Sequence, residues 1–113
     1  MSHDIFAKLN NISMSAQKVR LVVDVVRGKK AMDAMNILKF LPNGAARQVS
    51  KVLASAMANA EENFGVSRDD LYVYRITADE APTRKWRRFG ARGRFKPLLR
   101  RSSHISVTLR EKE

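Results

Sequence analysis

The chain has 113 residues, 44% of them apolar, and a formal net charge of +11. That length suits one compact domain with a modest core and leaves no room for two. It has no cysteine, which excludes a disulfide framework and thiolate chemistry, and its apolar runs are too short for a membrane span.

The first fifteen residues include Asp4, Asn10 and Asn11 and lack the continuous apolar stretch of a secretory signal, so a cytoplasmic protein is expected. Residues 5–12, IFAKLNNI, read as a strand. Ser13 is placed to cap a helix over residues 14–27, where Val19, Val22, Val23 and Val26 form one helical stripe. The valines lower helix propensity, but the stripe and the cap decide for helix. Gly28 marks its end, with Arg27, Lys29 and Lys30 near the negative pole of the helix dipole. Ala31, Ala34, Met35 and Leu38 share a face on a second, short helix that stops before Pro42. Asn43 is placed to cap a third helix over residues 44–64, striped by Ala45, Val49, Val52, Leu53, Ala56, Met57 and Ala60 and ended by Gly65. Met35 and Met57 are expected in the core.

From residue 71 the texture becomes β-branched and aromatic. LYVYRITAD reads as a strand with Leu71, Val73, Arg75 and Thr77 on one face and Tyr72, Tyr74, Ile76 and Ala78 on the other. HISVTLR, residues 104–110, alternates Ile105, Val107 and Leu109 against His104, Ser106, Thr108 and Arg110, a half-buried strand.

Between these strands lies PTRKWRRFGARGRFKPLLRR, residues 82–101. It holds nine Arg and Lys, no acid, and the aromatics Trp86, Phe89 and Phe95. The other 93 residues carry thirteen bases and eleven acids, so the excess charge belongs to this segment. A concentrated positive field calls for a polyanionic partner. Pro82, Gly90, Gly93 and Pro97 argue against a helix. A twenty-residue structureless loop between paired strands is uncommon. The remaining reading extends both strands into a ribbon that reverses near Gly90–Gly93. Arms of about thirteen residues at about 3.3 Å each reach roughly 40 Å, well beyond a body of about 13 Å radius of gyration. Arg87, Arg88, Arg100 and Arg101 then meet phosphates while aromatics stack on bases or sugars. Lys18, Arg20, Arg27, Lys29 and Lys30 form a second basic group on the body. The expected organisation is one domain, 1–113, with a globular body of 1–78 and 103–113 and a basic hairpin of about 79–102.

Several segments carry a resemblance: SAQKVRLVVDVVRGKK (15–30), LASAMANAEEN (53–63), DDLYV (69–73), DEAPTRK (79–85), ARGR (91–94) and RSSHISV (101–107). Together, in order and spacing, they resemble the family of large ribosomal subunit protein twenty-two. The resemblance implies an α+β fold, three helices packed on a three-stranded antiparallel sheet with one long protruding β-hairpin. It implies a structural role in the large ribosomal subunit: binding ribosomal RNA, supporting assembly, and lining the nascent-peptide exit tunnel with the hairpin tip. Implied partners are large-subunit ribosomal RNA, neighbouring large-subunit proteins and the nascent peptide; the free protein is expected to be a monomer. The RNA-binding set then comprises Lys18, Arg20, Arg27, Lys29, Lys30, Arg84, Lys85, Arg87, Arg88, Arg94, Lys96, Arg100, Arg101 and His104. The tunnel-lining tip comprises Arg84, Lys85, Trp86, Phe89, Gly90, Ala91, Arg92 and Gly93. The chain departs from the common pattern at Ala81, where glycine is usual, at Phe89–Gly90, where a Pro-Arg pair is common, and at Trp86, where a base is frequent.

No enzyme is expected: no nucleophile stands with a base and an orienting group, and no glycine loop follows a strand to cradle phosphate. No cofactor or metal is expected either. The adjacent carboxylates Asp69–Asp70 and Asp79–Glu80 read as turn caps and solvated charge, since magnesium in such settings leans on phosphates. The competing class is a DNA-architectural protein with a basic β-arm, which requires paired arms from a dimer. A membrane-surface module ranks lower, because the basic segment is not an amphipathic helix.

Overall fold

The first strand, β1 (Asp4–Ile12), alternates Ile5, Ala7 and Leu9 with Phe6, Lys8 and Asn10, and that alternation decides which face turns inward. The computed structural model describes residues 4–42, 44–81, 84–89, 95–100 and 102–111, and only the backbone for residues 11, 84–89 and 95–100. Helices α1 (Ala16–Val26), α2 (Ala31–Phe40) and α3 (Gly44–Phe64) follow, then a 3-10 turn (Arg68–Asp70) and strands β2 (Leu71–Glu80), β3 (Arg84–Phe89), β4 (Phe95–Arg100) and β5 (Ser103–Glu111).

The sheet has the order β1-β5-β2 with all neighbours antiparallel. Its inward rows are Ile5–Leu109–Val73, Ala7–Val107–Ile76 and Leu9–Ile105–Ala78. The helices cover this face with Val19, Val22, Val23 and Val26 of α1, Ala31, Ala34 and Leu38 of α2, and Val49, Val52, Leu53, Ala56, Met57 and Ala60 of α3. Met57 is buried in this core and Met35 is partly buried against it. Alanines at four inward positions of α3 (Ala45, Ala46, Ala56, Ala60) let it lie close to its neighbours. The α+β fold is the expected one.

Two expectations change in detail. The first helix begins at Ala16 and is capped by Ser15, whose Oγ accepts from the Lys18 N–H at 3.5 Å. Ser13 lies in the preceding turn, where the Met14 N–H already donates to the Ile12 carbonyl at 2.7 Å. The strict alternation expected along β2 also fails after Val73. The pairs Val73–Leu109 and Arg75–Thr108 leave Tyr74 as an extra residue, a β-bulge. Beyond it the faces exchange: Ile76 and Ala78 turn inward with Leu71 and Val73, while Arg75 is exposed. Uninterrupted alternation would have driven Arg75 into the core, and the bulge avoids burying that charge. Asn43 and the reversal expected near Gly90–Gly93 lie outside the described residues.

Strands β3 and β4 pair only with each other, from Arg84–Arg100 to Phe89–Phe95. The β2–β5 ladder runs up to Glu80–Ser103, and the Ala81 N–H donates to the Ser102 carbonyl at 3.0 Å. The register of the two ladders differs by a single residue. The molecule measures 64 × 26 × 18 Å with a radius of gyration of 17.2 Å, against about 13 Å for a compact chain of this length. That elongation is what a ribbon leaving the body produces.

Candidate nucleic-acid interface

The β3–β4 register sets cation against cation. Arg84 stands opposite Arg100 and Arg88 opposite Lys96, with Trp86–Leu98 between them. Strand alternation assigns these six residues to one face of the ribbon. Residues directly opposite in an antiparallel pair have Cβ atoms about 5 Å apart, and like charges there are destabilising. No acid occurs in residues 82–101 to offset them. Lys85 stands opposite Leu99, Arg87 opposite Pro97 and Phe89 opposite Phe95. Arg84 and Lys85 therefore occupy the end of the ladder next to β2, and Phe89 the far end. Gly90, Ala91, Arg92, Gly93, Arg94 and Arg101 lie outside the described residues.

The body cations divide into two kinds. Lys18, Lys29 and Lys30 are exposed, and among the described residues none has an ion-pair partner. Arg20 and Arg27 are engaged. Arg20 Nε donates to the Ala78 carbonyl at 3.0 Å, and Arg27 Nη2 to the Ile76 carbonyl at 3.1 Å. Arg27 also pairs with Asp24 at 2.6 Å. Arg20 of α1 and Arg27, the residue that follows the helix, both reach carbonyls of β2, an edge strand. The segment after α1 closes the same strand: the Gly28 N–H donates to the Val73 carbonyl and the Val73 N–H to the Lys29 carbonyl. Gly28 takes φ +80°, a left-handed conformation that glycine adopts without a Cβ penalty. On the other edge, Asn59 of α3 donates to the Phe6 carbonyl at 3.4 Å. His104 stands opposite Asp79 at the start of β5. Asp69 and Asp70 lie in the 3-10 turn, where the Ser67 hydroxyl accepts the Asp69 N–H.

The family model for "Ribosomal protein L22p/L17e" matches residues 7–110, nearly the whole chain. The chain belongs to the ribosomal protein L22p/L17e family. A relative named large ribosomal subunit protein uL22, from Pediococcus pentosaceus, is 45% identical over 107 residues, covering 95% of this chain and 91% of its own.

This L22p/L17e chain also carries polar and aromatic residues that the charge-based reading passed over. The uncovered face of the sheet has the rows Asp4–Arg110–Tyr72, Phe6–Thr108–Arg75 and Lys8–Ser106–Thr77. Arg110 forms a two-point ion pair with Asp4, Nε–Oδ1 at 2.6 Å and Nη2–Oδ2 at 3.3 Å. Its guanidinium carbon also lies 3.4 Å from the centroid of the Tyr74 ring, a cation–π contact. Tyr72 meets Tyr74 edge to face, with centroids 6.3 Å apart. The signal was present in IFAKLNNI: Phe6 alternates with residues that must point inward, so it has to be exposed.

Proposed function

We propose that this protein is a structural constituent of the large ribosomal subunit in the cytoplasm, without catalytic activity of its own. It binds ribosomal RNA and supports subunit assembly, and the tip of its hairpin lines the nascent-peptide tunnel. The body, residues 1–78 and 103–113, and the hairpin, about 79–102, act as one domain. The observation that carries the reading is the ribbon whose register opposes Arg84 to Arg100 and Arg88 to Lys96. Such a ribbon is unfavourable alone in water and becomes favourable when phosphates supply the missing negative charge. Family membership and the relative's name support the subunit assignment. Lys18, Lys29 and Lys30 add phosphate contacts from the body.

Sedimentation tests the assignment: the protein travels with large subunits at moderate salt and elutes as a monomer when free. A stable dimer that prefers duplex DNA to ribosomal RNA overturns it in favour of an architectural DNA-binding protein. The tunnel claim has its own test. A photoreactive residue in place of Arg92 crosslinks to an arrested nascent chain in assembled ribosomes; crosslinks to RNA alone remove the tip from the tunnel wall.

A further inference from the structure

The open face of the sheet has an exposed ring on each side of its central strand. Phe6 on β1 is 66% exposed and Tyr74 on β2 is 46% exposed. Phe6, Thr108 and Arg75 form one row across the three strands. Neighbouring strands lie about 4.8 Å apart, so the β1 and β2 residues in a row stand about 10 Å from each other. Lys8 sits one row along from Phe6 on the same face. Lys8 and Arg75 are exposed, and among the described residues neither has an ion-pair partner. Asp4, a carboxylate on the same face, is taken up by Arg110. Asp79 stands two rows from Arg75, opposite His104, at the hairpin end of the face.

We infer that this sheet face is a further RNA contact, separate from the hairpin and from Lys18, Lys29 and Lys30, on which Phe6 and Tyr74 stack unpaired bases while Lys8 and Arg75 hold the adjoining phosphates. The inference rests on the reading of the chain as an RNA-binding protein. The chemistry selects the occupant. Stacking needs a ring open on at least one side, which paired bases inside a duplex do not offer, so the occupant is a single strand or a loop. A second copy of this chain is disfavoured, because it would bring the same two cations against each other. The Arg110–Asp4 pair and the Arg110–Tyr74 contact fix the Tyr74 ring in advance, which reduces the ordering cost of stacking on it. The β2 bulge contributes as well, since it places Tyr74 and Arg75 together beside the central strand.

The test uses the full chain and a short oligouridylate containing 4-thiouridine, irradiated and mapped by mass spectrometry. Crosslinks are expected on β1 or β2, at Phe6 or Tyr74, in addition to those on the hairpin. Phe6→Ala and Phe6→Leu each remove the β1 crosslink and weaken binding roughly tenfold, while Phe6→Trp retains it. Phe6→Leu keeps the apolar bulk, so its weaker binding reports the ring and not the fold. Lys8→Gln and Arg75→Gln each lower the salt slope by about 0.7. An RNA duplex competes poorly for the face. Crosslinks confined to the hairpin, with unchanged affinity of the Phe6 variants, overturn this inference and leave the RNA-binding reading standing. Absence of crosslinks anywhere overturns both. Phe6 variants that keep RNA affinity but no longer associate with another large-subunit protein make the face a protein-docking surface and overturn the inference.

Discussion

Arg110 has two different neighbours, and each uses a different property of the guanidinium. Its fork matches the two oxygens of Asp4, and its guanidinium carbon lies over one side of the Tyr74 ring. The pair joins residues 106 positions apart and fastens β1 to β5. The hydrogen bond from Arg110, aided by its charge against a smaller desolvation effect, holds the Asp4 carboxyl below its ordinary value. The same bond holds Arg110 above its own. A carboxyl with a lowered folded pKa contributes stability that is fully present above the unfolded value, about 3.9 for Asp. That contribution disappears as pH falls through the lowered folded value. Asp4→Asn should therefore destabilise the protein near neutrality, and the gap should narrow as pH falls below the unfolded value. Urea unfolding of both proteins across that range measures it. A gap of equal size at both ends would mean that asparagine perturbs packing and that charge is irrelevant. The pair could not be read from sequence, because it depends on a strand register that composition does not contain.

At the scale of elements, the sheet is defined by how its edges and its bulge are handled. Exposed edge carbonyls and N–H groups invite pairing with other chains. Here α1 and its C-cap cover β2 with Arg20 and Arg27, and α3 reaches β1 with Asn59. Arg20→Met should cost about 1 kcal/mol, the net scale of one hydrogen bond, because Arg20 is exposed. It should also speed amide exchange in β2 while leaving the salt dependence of RNA binding unchanged. A reduced salt slope would instead make Arg20 a phosphate ligand. The bulge gives a sharper expectation. Deleting Tyr74 removes the extra residue, so Arg75 follows Val73 directly and regular alternation keeps Arg75 outward and Ile76 and Ala78 inward. The variant should keep a cooperative urea transition and lose only the contact between Arg110 and the Tyr74 ring; loss of cooperativity would mean that the faces beyond Val73 are not set by this one extra residue. The helices were legible because a 3.6-residue stripe survives small errors in where it starts, as the shift of the cap from Ser13 to Ser15 shows. The second half of β2 was not legible, because a bulge is one residue in length and reverses every face beyond it.

At the scale of the whole molecule, two cooperating parts obey different physics. The body buries Leu53, Met57, Ile105 and Leu109 in one continuous core. The β3–β4 ribbon forms its own two-stranded sheet and carries the charge. The ribbon was readable from charge, proline and glycine alone, since nine cations without an acid leave few alternatives. The sheet face with Phe6 was not, because lone exposed aromatics are common and only the fold shows Phe6 and Tyr74 flanking one strand. The division predicts a crossed pattern of mutational effects. Leu109→Ala, at a fully buried position in the central strand, should cost about 2–5 kcal/mol of stability. At temperatures where that variant stays folded, its RNA affinity and salt slope should match those of the parent. Changing Arg84, Arg88, Lys96 and Arg100 together to Gln should do the reverse. It removes both like-charge pairs of the ladder, so the unfolding midpoint should stay level or rise slightly. RNA affinity should fall, and on single-stranded RNA the salt slope should drop by about 0.7 for each phosphate left without its cation. Urea titration and filter binding across a salt series measure the two responses on the same preparations. If the fourfold variant unfolds earlier and keeps its salt slope, those cations serve the fold and the ribbon is not the RNA probe.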